Sequence, residues 1–315
     1  MYRKSIIVGL KSTNLNKKEK KFLQTEKPWG VILFSRNIKS LEQLKSLTDS
    51  IKKCIGDKNY PILIDQEGGS VSRLNKIIDL SYFPQSNFEI FMGKERKNFI
   101  KFYKEYIQKV CYLIRNAGIN INTVPVLDVR RNKGHDVIGN RSFSSNPVTV
   151  SKLGNICINL FKKNKIGTIA KHIPGHGMSR SDSHYKLERI NASKKELINN
   201  DFVPFKKTNP FFAMTAHLIY SKYDPNHTAT HSQIVIDQVI RKHIGFKGIL
   251  ISDDISMKAL KYNLTTNAYK ALKAGCNLVL HCNGKINEMK KLAKIVPAID
   301  KFTQKKTSQF YKFLR

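Results

Sequence analysis

Cysteine is scarce in this chain of 315 residues, and its five copies are scattered. None of them forms a CxxC pair, which argues against a disulfide framework and against a thiolate zinc site. Long apolar runs are also missing, since none approaches the ~18 residues that a membrane-spanning helix needs. The apolar segment at residues 5–10 is too short for the core of a signal peptide. We therefore predict a cytoplasmic protein without membrane insertion.

Acidic residues are few as well, because 23 Asp and Glu stand against 56 Lys and Arg, a formal net charge of +33. Such a charge is compatible with nucleic-acid binding. The basic residues, however, are mostly lysines spread over nearly all the predicted helices rather than gathered in one arginine-rich patch. We interpret them as a solvated surface and predict no specific nucleic-acid partner. A polyanion-binding protein with a vestigial pocket is the distant alternative.

Short apolar runs alternate with longer amphipathic segments, as in repeated βα units around a parallel sheet. Pro125 cannot donate to a strand ladder, so residues 124–126 are either part of the fourth strand or a separate extended piece. No linker or repeat divides the chain. We predict an α/β fold, a single (β/α)8 TIM-type barrel over residues 1–315. Its eight predicted strands are residues 5–10, 30–34, 61–64, 119–126, 167–170, 211–214, 248–251 and 277–280.

Reactive side chains follow several of these strands. At or within a few residues of a strand's C-terminal end lie Asp65, Asp128, His172, His217 and Asp253. In a barrel those ends converge on one face, where the connecting loops build the active site. Residues that are distant in the sequence are therefore expected to meet in one pocket.

The segment at residues 171–177 is a polar loop that follows an apolar run. It contains two histidines, His172 and His176, four residues apart. Pro174 lies between them and removes the helical geometry in which such a pair chelates zinc. We predict neither a metal site nor a cofactor, and metal-assisted hydrolysis is a distant alternative.

Carboxylates and a His–Asp pair around one pocket suit glycoside hydrolysis by double displacement, which needs a nucleophile and a proton shuttle. Asp253 follows the seventh predicted strand through one residue and is the predicted nucleophile. His184 is the predicted shuttle, because Asp182 can orient its ring and favour the protonated form. The structural alternative for Asp182 is a turn residue in a loop. The structural alternative for Asp253 is a cap of the next helix, a role that Asp254 fits better.

Together these motifs resemble glycoside hydrolase family 3, in particular its single-domain bacterial β-N-acetylglucosaminidases of peptidoglycan recycling. The likeness extends over nearly the whole chain, and the pair formed by the segments at 171–184 and 252–257 is its most specific part. The segments that carry it are 30–37, 65–69, 124–129, 138–143, 171–177 with 182–184, 215–217, and 245–257.

The resemblance implies a role for each matching position. Asp253 is the nucleophile, His184 the acid/base and Asp182 its supporting partner, while His176 and His217 have supporting roles. The positions that hold the hydroxyls of the terminal sugar are Asp65, Arg73, Arg141, Lys171 and His172.

The implied activity is that of a retaining, monomeric exo-β-N-acetylglucosaminidase (β-N-acetylhexosaminidase) that acts on an amino-sugar or muropeptide substrate. A phosphorylase on the same scaffold stays open, because a histidine acid/base repels an incoming phosphate less than a glutamate does. The chain departs from the family pattern at Ser70, Arg130 and Ser144, and none of these changes removes a catalytic group.

Overall fold

The computed structural model of this protein describes residues 2–94, 96–131, 138–179 and 187–315. Strands alternate with helices along the chain, and all strands of the central sheet are parallel. The strands are β1 (Lys4–Gly9), β2 (Pro28–Leu33), β3 (Ile62–Ile64), β4 (Ile121–Asn122), β5 (Gly167–Ile173), β6 (Glu188–Ile190), β7 (Phe212–Thr215), β8 (Leu218–Tyr220), β9 (Ile249–Asp254) and β10 (Leu278–His281).

The helices surround the sheet. They are α1 (Lys17–Glu26), α2 (Leu41–Ile55), α3 (Gln85–Lys94), α4 (Arg96–Asn116), α5 (Pro147–Lys163), α6 (Lys194–Asn199), α7 (Val203–Lys206), α8 (Leu264–Ala274), α9 (Ile286–Ile295) and α10 (Lys301–Leu314), with a π-helix at Val235–His243. None of the helices in the described part of the chain combines the length and the apolar character that crossing a membrane requires.

Eight of the strands close into a barrel, in the order β1-β2-β3-β4-β5-β7-β9-β10 and back to β1. Each barrel strand overlaps one of the eight predicted segments, and the predicted (β/α)8 architecture is confirmed. Strands β6 and β8 form a separate parallel pair, which the sequence analysis did not predict. The sequence of β6, Glu-Arg-Ile, has only one apolar residue and therefore carries no strand signal.

The fourth barrel strand is the shortest, with two residues paired on each side. Beyond it the chain leaves the regular ladder at Pro125, which has no N–H to donate. Lys171 nevertheless holds this piece, because its N–H donates to Pro125 O (3.1 Å) and its C=O accepts from Leu127 N (2.7 Å). Residues 124–126 are thus a separate extended piece, as one of the two alternatives predicted.

Local sequence signals explain where several helices begin and end. The Asn16 side chain accepts a hydrogen bond from Glu19 N (2.9 Å), while the Glu19 carboxylate accepts from Asn16 N. Two backbone N–H groups that lack a partner within the helix are thus satisfied at the start of α1. Asn146 caps α5 directly before Pro147, a residue that suits the first helical position. Gly56 ends α2 in a left-handed conformation (φ 74°) that favours glycine.

An apolar cluster fills the barrel interior and its N-terminal end. It includes Trp29, Phe212 and Phe310, all almost fully buried, and Trp29 Nε1 donates to Thr307 Oγ1 of α10 at 2.9 Å. Helix α10 therefore closes the bottom of the barrel with hydrophobic contacts. The polar side chains lie at the opposite end, where the strands terminate.

Candidate active site

A cavity of about 170 Å³ opens at the C-terminal ends of the barrel strands. Asp182 and His184 lie outside the described residues, so the structure places neither. The other six predicted site residues all line this cavity: Asp65, Arg73, Arg141, Lys171, His172 and Asp253. They come from five separate positions along the chain, 65, 73, 141, 171–172 and 253, which the barrel brings to one face.

Asp65, which directly follows β3, is held by three donors. Its carboxylate accepts from Lys171 Nζ (2.7 Å), Arg73 Nη2 (2.5 Å) and Thr123 Oγ1 (2.5 Å). Burial alone would raise the pKa of Asp65, but the positive charges of Lys171 and Arg73 outweigh it and hold that pKa below its usual range. Asp65 therefore stays a carboxylate.

Glu67 supplies a second carboxylate beneath the cavity wall, with a side chain that is only 1% exposed. It accepts from Arg141 Nε and Nη2 (both 2.8 Å) in a bidentate pair, and Lys171 Nζ lies 2.6 Å from it. Burial would raise the pKa of Glu67, but Arg141 and Lys171 hold it below the usual value. Lys171 thus bridges the two carboxylates, Asp65 and Glu67.

These contacts form one continuous chain of charges, which we call the ion-paired half of the site: Arg73, Asp65, Lys171, Glu67 and Arg141. Burial would lower the pKa of Lys171, but the two carboxylates raise it above its ordinary value. All five groups are therefore charged at neutral pH, and each is fixed by hydrogen bonds. Such a rigid set of donors and acceptors suits a hydroxyl-rich ligand.

Glu67 and Thr123 are not among the predicted site residues. Glu67 stood within the quoted segment 65–69, but only the structure shows that it pairs with Arg141, which is 74 positions away. Thr123 had no signal at all, because its contact with Asp65 depends on the register of two neighbouring strands.

The other side of the cavity, which we call the histidine half, is built around His172 at the end of β5. Asp128 is fully buried and accepts from His172 Nδ1 (2.7 Å). Its other oxygen accepts from two backbone N–H groups, of His172 (3.1 Å) and of His176 (2.7 Å). His172 Nε2 then lies 4.0 Å from Asp253 Oδ2.

Asp253, near the end of β9, keeps about one fifth of its side chain exposed to the cavity. Its Oδ1 accepts from the backbone N of Asp254 at 2.8 Å. Burial would raise the pKa of Asp253, but His172 and His217 hold it below the usual value. The carboxylate is thus ionised at neutral pH and is oriented by the strand end.

Asp254 does not cap a long helix, as the sequence analysis had considered. Its carboxylate accepts from Ser256 N (3.0 Å) and Ser256 Oγ (2.8 Å), so it closes a short turn after β9. Helix α8 begins later and is capped by Asn263. The turn fixes the backbone directly behind Asp253.

Two further histidines support the histidine half. Burial and the nearby His172 lower the pKa of His176 to about 4, so His176 is neutral above mildly acidic pH. His217 pairs through Nδ1 with Thr230 Oγ1 (2.7 Å) and donates through Nε2 to Asp254 O (3.0 Å). No cluster of three or more His, Cys, Asp or Glu side chains able to hold a metal ion occurs within residues 2–94, 96–131, 138–179 and 187–315.

The comparison with protein families decides the class of the protein. The model of the glycosyl hydrolase family 3 N terminal domain matches residues 4–309. The chain belongs to glycoside hydrolase family 3. The predicted family is thereby confirmed.

Relatives within this family are β-hexosaminidases. The chain is 35% identical over 287 residues to the β-hexosaminidase of Hydrogenovibrio crunogenus, which covers 88% of this chain and 78% of that protein. It is 32% identical over 316 residues to that of Psychromonas ingrahamii, covering 97% of this chain and 88% of that protein. The predicted enzyme class, a glycoside hydrolase of the β-N-acetylhexosaminidase type, is confirmed.

Solved structures of the family have the same fold. Native NagZ from Neisseria gonorrhoeae superposes with a TM-score of 0.87 at 28% identity, over 100% of this chain and 90% of that one. The same protein has been solved in complex with N-trifluoroacetyl-D-glucosamine. A β-N-acetylglucosaminidase from Paenibacillus sp. also has a TM-score of 0.87, at 24% identity over 98% of this chain and 60% of that one.

Two of the three departures from the family 3 pattern contact the same glutamate. Ser144 Oγ donates to Glu89 Oε1 of α3 at 2.5 Å, and Arg130 Nη2 lies 3.6 Å from Glu89 Oε2. Arg130 N also donates to Ser144 O at 3.0 Å. Arg130 and Ser144 therefore form one contact set with Glu89, which joins α3 to the segment following β4. The third, Ser70, is exposed.

Proposed function

We propose that this family 3 enzyme is a retaining exo-β-N-acetylglucosaminidase with Asp253 as nucleophile, His184 as acid/base and Asp182 as its partner. Its substrate is a muropeptide that carries a non-reducing N-acetylglucosamine linked to anhydro-N-acetylmuramic acid. The setting is cell-wall recycling in the cytoplasm, with a monomeric protein that needs no metal. The observation that carries the proposal is the ionised Asp253 carboxylate in a small, charged cavity at the strand ends.

The size of the cavity supports an exo-acting enzyme. About 170 Å³ lies below the ~300–1,000 Å³ typical of pockets for drug-sized ligands, so it suits one sugar unit rather than a chain. Asp65, Arg73, Lys171, Arg141 and His172 would hold the hydroxyls of that unit. The neisserial structure with N-trifluoroacetyl-D-glucosamine supports an amino sugar as the ligand.

The reaction follows double displacement. The Asp253 carboxylate attacks the anomeric carbon while the bond to the leaving oxygen breaks, and His184 gives its proton to that oxygen. A glycosyl ester with Asp253 results. A water molecule then attacks the same carbon and gives a proton to His184, which frees Asp253 and releases the sugar with its β configuration retained.

Matched aryl β-N-acetylglucosaminide and aryl β-glucoside substrates test the proposal directly. We expect turnover of the first, little of the second, and initial release of the β-anomer in a proton NMR time course. Release of the α-anomer first would exclude Asp253 as nucleophile. Sugar 1-phosphate formed only when phosphate is added would identify a phosphorylase instead.

Two further assays address the substrate and the metal. We expect the anhydromuramic muropeptide to have a higher kcat/KM than a chitin disaccharide, and equal values would remove the muropeptide assignment. Exhaustive treatment with EDTA should leave activity unchanged. Activity that is lost with EDTA and restored by zinc would contradict the metal-independent mechanism.

A further inference from the structure

Asp128 lies behind the cavity and does not line it, yet it makes three hydrogen bonds to the segment that carries the site histidines. Its side chain has no exposed surface. A buried carboxylate is costly unless it is well paired, so this arrangement calls for a role. The role depends on the geometry between Asp128, His172 and Asp253.

We infer that Asp128 is a positioning residue that keeps the hydrogen of His172 on Nδ1, so that Nε2, the nitrogen facing Asp253, is the one that meets the sugar. This inference rests on the proposed function for the identity of the nucleophile. The tautomer itself is a property of the free enzyme and does not depend on it.

The distances support a fixed tautomer. Asp128 Oδ2 lies 2.7 Å from His172 Nδ1, and an ionised carboxylate can only accept there, so Nδ1 must carry the hydrogen. Burial would raise the pKa of Asp128, but the charge and hydrogen bond of His172 lower it, and Asp128 stays ionised. The partner of one ring nitrogen thus decides what the other nitrogen presents to its neighbours.

Asp128 cannot rotate to release this bond. Its Oδ1 accepts from His172 N (3.1 Å) and His176 N (2.7 Å), two donors fixed by the backbone of the loop after β5. The carboxylate plane is therefore set by the main chain. The ring of His172 is consequently held with Nε2 at 4.0 Å from Asp253 Oδ2.

The consequence concerns the nucleophile. With its hydrogen on Nδ1, His172 presents an unprotonated Nε2 towards Asp253, and that nitrogen can accept a hydrogen bond from a sugar hydroxyl. The other titratable or charged groups that act on Asp128, His172 or Asp253 are Arg141, Lys171, His176, Asp201, His217, Tyr220 and Cys282.

The test is Asp128→Asn, a substitution of almost the same shape. The two backbone donors will hold the amide oxygen, so the NH₂ group will face Nδ1 and force the His172 proton onto Nε2. An analogous change in a serine-protease triad lowers kcat by about 10⁴-fold through the wrong tautomer. Here we expect a loss of at least roughly 10²-fold in kcat/KM.

Nitrogen-15 NMR of the histidine side chains reads the tautomer directly, and the resonance of His172 is assigned from its absence in His172→Gln. We expect the Nδ1–H form in the wild type and the Nε2–H form in Asp128→Asn. A wild-type His172 with its proton on Nε2 overturns the inference, even if Asp128→Asn does not fold. That measurement is independent of the substrate.

A double-mutant cycle and a matched control complete the test. If Asp128 acts through His172, then Asp128→Asn should cost less than about threefold when His172→Gln is already present. Full additivity would overturn the inference. Asp224→Asn is the control, because Asp224 pairs with His227 Nδ1 (3.2 Å) and two backbone N–H groups but does not line the cavity. Turnover by this variant should stay within about twofold of wild type.

Discussion

The ion-paired half and the histidine half of the cavity both contain buried carboxylates, but they treat them differently. In the ion-paired half, Asp65 and Glu67 each have cationic partners at 2.5–2.8 Å. In the histidine half, His172 Nε2 lies 4.0 Å from Asp253 Oδ2, which is beyond hydrogen-bond distance. Asp65 and Glu67 are thus held in direct ion pairs, whereas no lysine or arginine of the described residues pairs with Asp253.

Under the proposed function, this difference would separate binding from chemistry. A carboxylate that is tightly paired to lysine or arginine is a poor nucleophile, because the pairing stabilises its negative charge. With about four lone-pair sites, it can still accept a hydroxyl in a fixed orientation. Asp253 instead receives long-range stabilisation from His172 and His217. Its negative charge is maintained without a direct ion pair to any lysine or arginine of the described residues.

The largest effect is expected at Asp253. Asp253→Ala should reduce turnover by roughly 10⁴–10⁶-fold, since no glycosyl ester can form. Azide should restore a product of inverted configuration by entering the vacated space. The anomer of the azide product, read by NMR, checks this; retained configuration would show that a second nucleophile is present.

Asp254→Asn is the control for that substitution. Asp254 shapes the turn after β9 through Ser256, and asparagine can keep one of its acceptor oxygens. Its loss of turnover should be far smaller than that of Asp253→Ala, and azide should not affect it. Equal losses would mean that the turn, and not the Asp253 carboxylate, is the sensitive element.

The second largest effect is expected at His184, the proposed proton shuttle. His184→Ala should lower kcat by about 10²–10⁴-fold for poor leaving groups and much less for activated aryl glycosides. Asp182→Ala should do the same more mildly and shift the histidine limb of the pH profile downward, because the imidazolium loses its stabilising charge. Both substrates should be measured across pH in the single and double variants. Fully additive losses would assign proton transfer to another group.

The barrel could be predicted because its strands are apolar runs bounded by polar, Gly- or Pro-containing segments. The prediction was weakest at residues 119–126, where Pro125 interrupts the ladder and only Ile121 and Asn122 pair as a strand. The β6–β8 pair could not be found, because its three-residue strands depend on tertiary position rather than on pattern.

The placement of the site residues followed from topology, since parallel strand ends meet on one face. The ion pairs and hydrogen bonds between these residues did not follow from topology. Glu67 meets Lys171 across two strands, and Asp128 meets His172 through a loop, so no sequence spacing encodes either contact. The sequence therefore predicts which residues reach the cavity but not which of them are paired and which are left free to react.

Lys171 is the centre of the ion-paired half, and Lys171→Met should give the third effect. Removing it leaves Asp65 and Glu67 with less positive charge, which should destabilise the fold by about 3–5 kcal/mol at pH 7 and raise KM. Denaturant unfolding measures the first effect and steady-state kinetics the second. Lys109→Met, on the exposed face of α4, is the control and should change neither.

The pH dependence of the stability lost in Lys171→Met identifies the cause of that loss. The folded pKa values of Asp65 and Glu67 lie below their unfolded values of about 3.9 and 4.3, so their stabilisation is present above pH ~4.3 and lost as pH falls further. In Lys171→Met both pKa values should rise. The deficit in unfolding free energy should therefore shrink towards acidic pH, whereas a constant deficit would indicate lost packing instead of lost charge pairing.

The smallest effect is expected at Thr123, which touches the ion-paired half without carrying a charge. Its hydroxyl donates to Asp65 (2.5 Å) and accepts from Lys171 Nζ (3.1 Å). Thr123→Val keeps the shape and should cost about 1–2 kcal/mol of stability. Asp65 should then hold the sugar less firmly in the ground state and the transition state alike, so KM should rise a few-fold with kcat nearly unchanged.

Thr215→Val makes the same change behind the histidine half, where the Thr215 hydroxyl pairs with Thr230 at 2.8 Å. It should cost a similar stability but leave KM unchanged, because no carboxylate of the ion-paired half depends on it. If Thr123→Val lowered kcat instead of raising KM, then Asp65 would contribute to the transition state itself. The division between a binding half and a reacting half would then no longer hold.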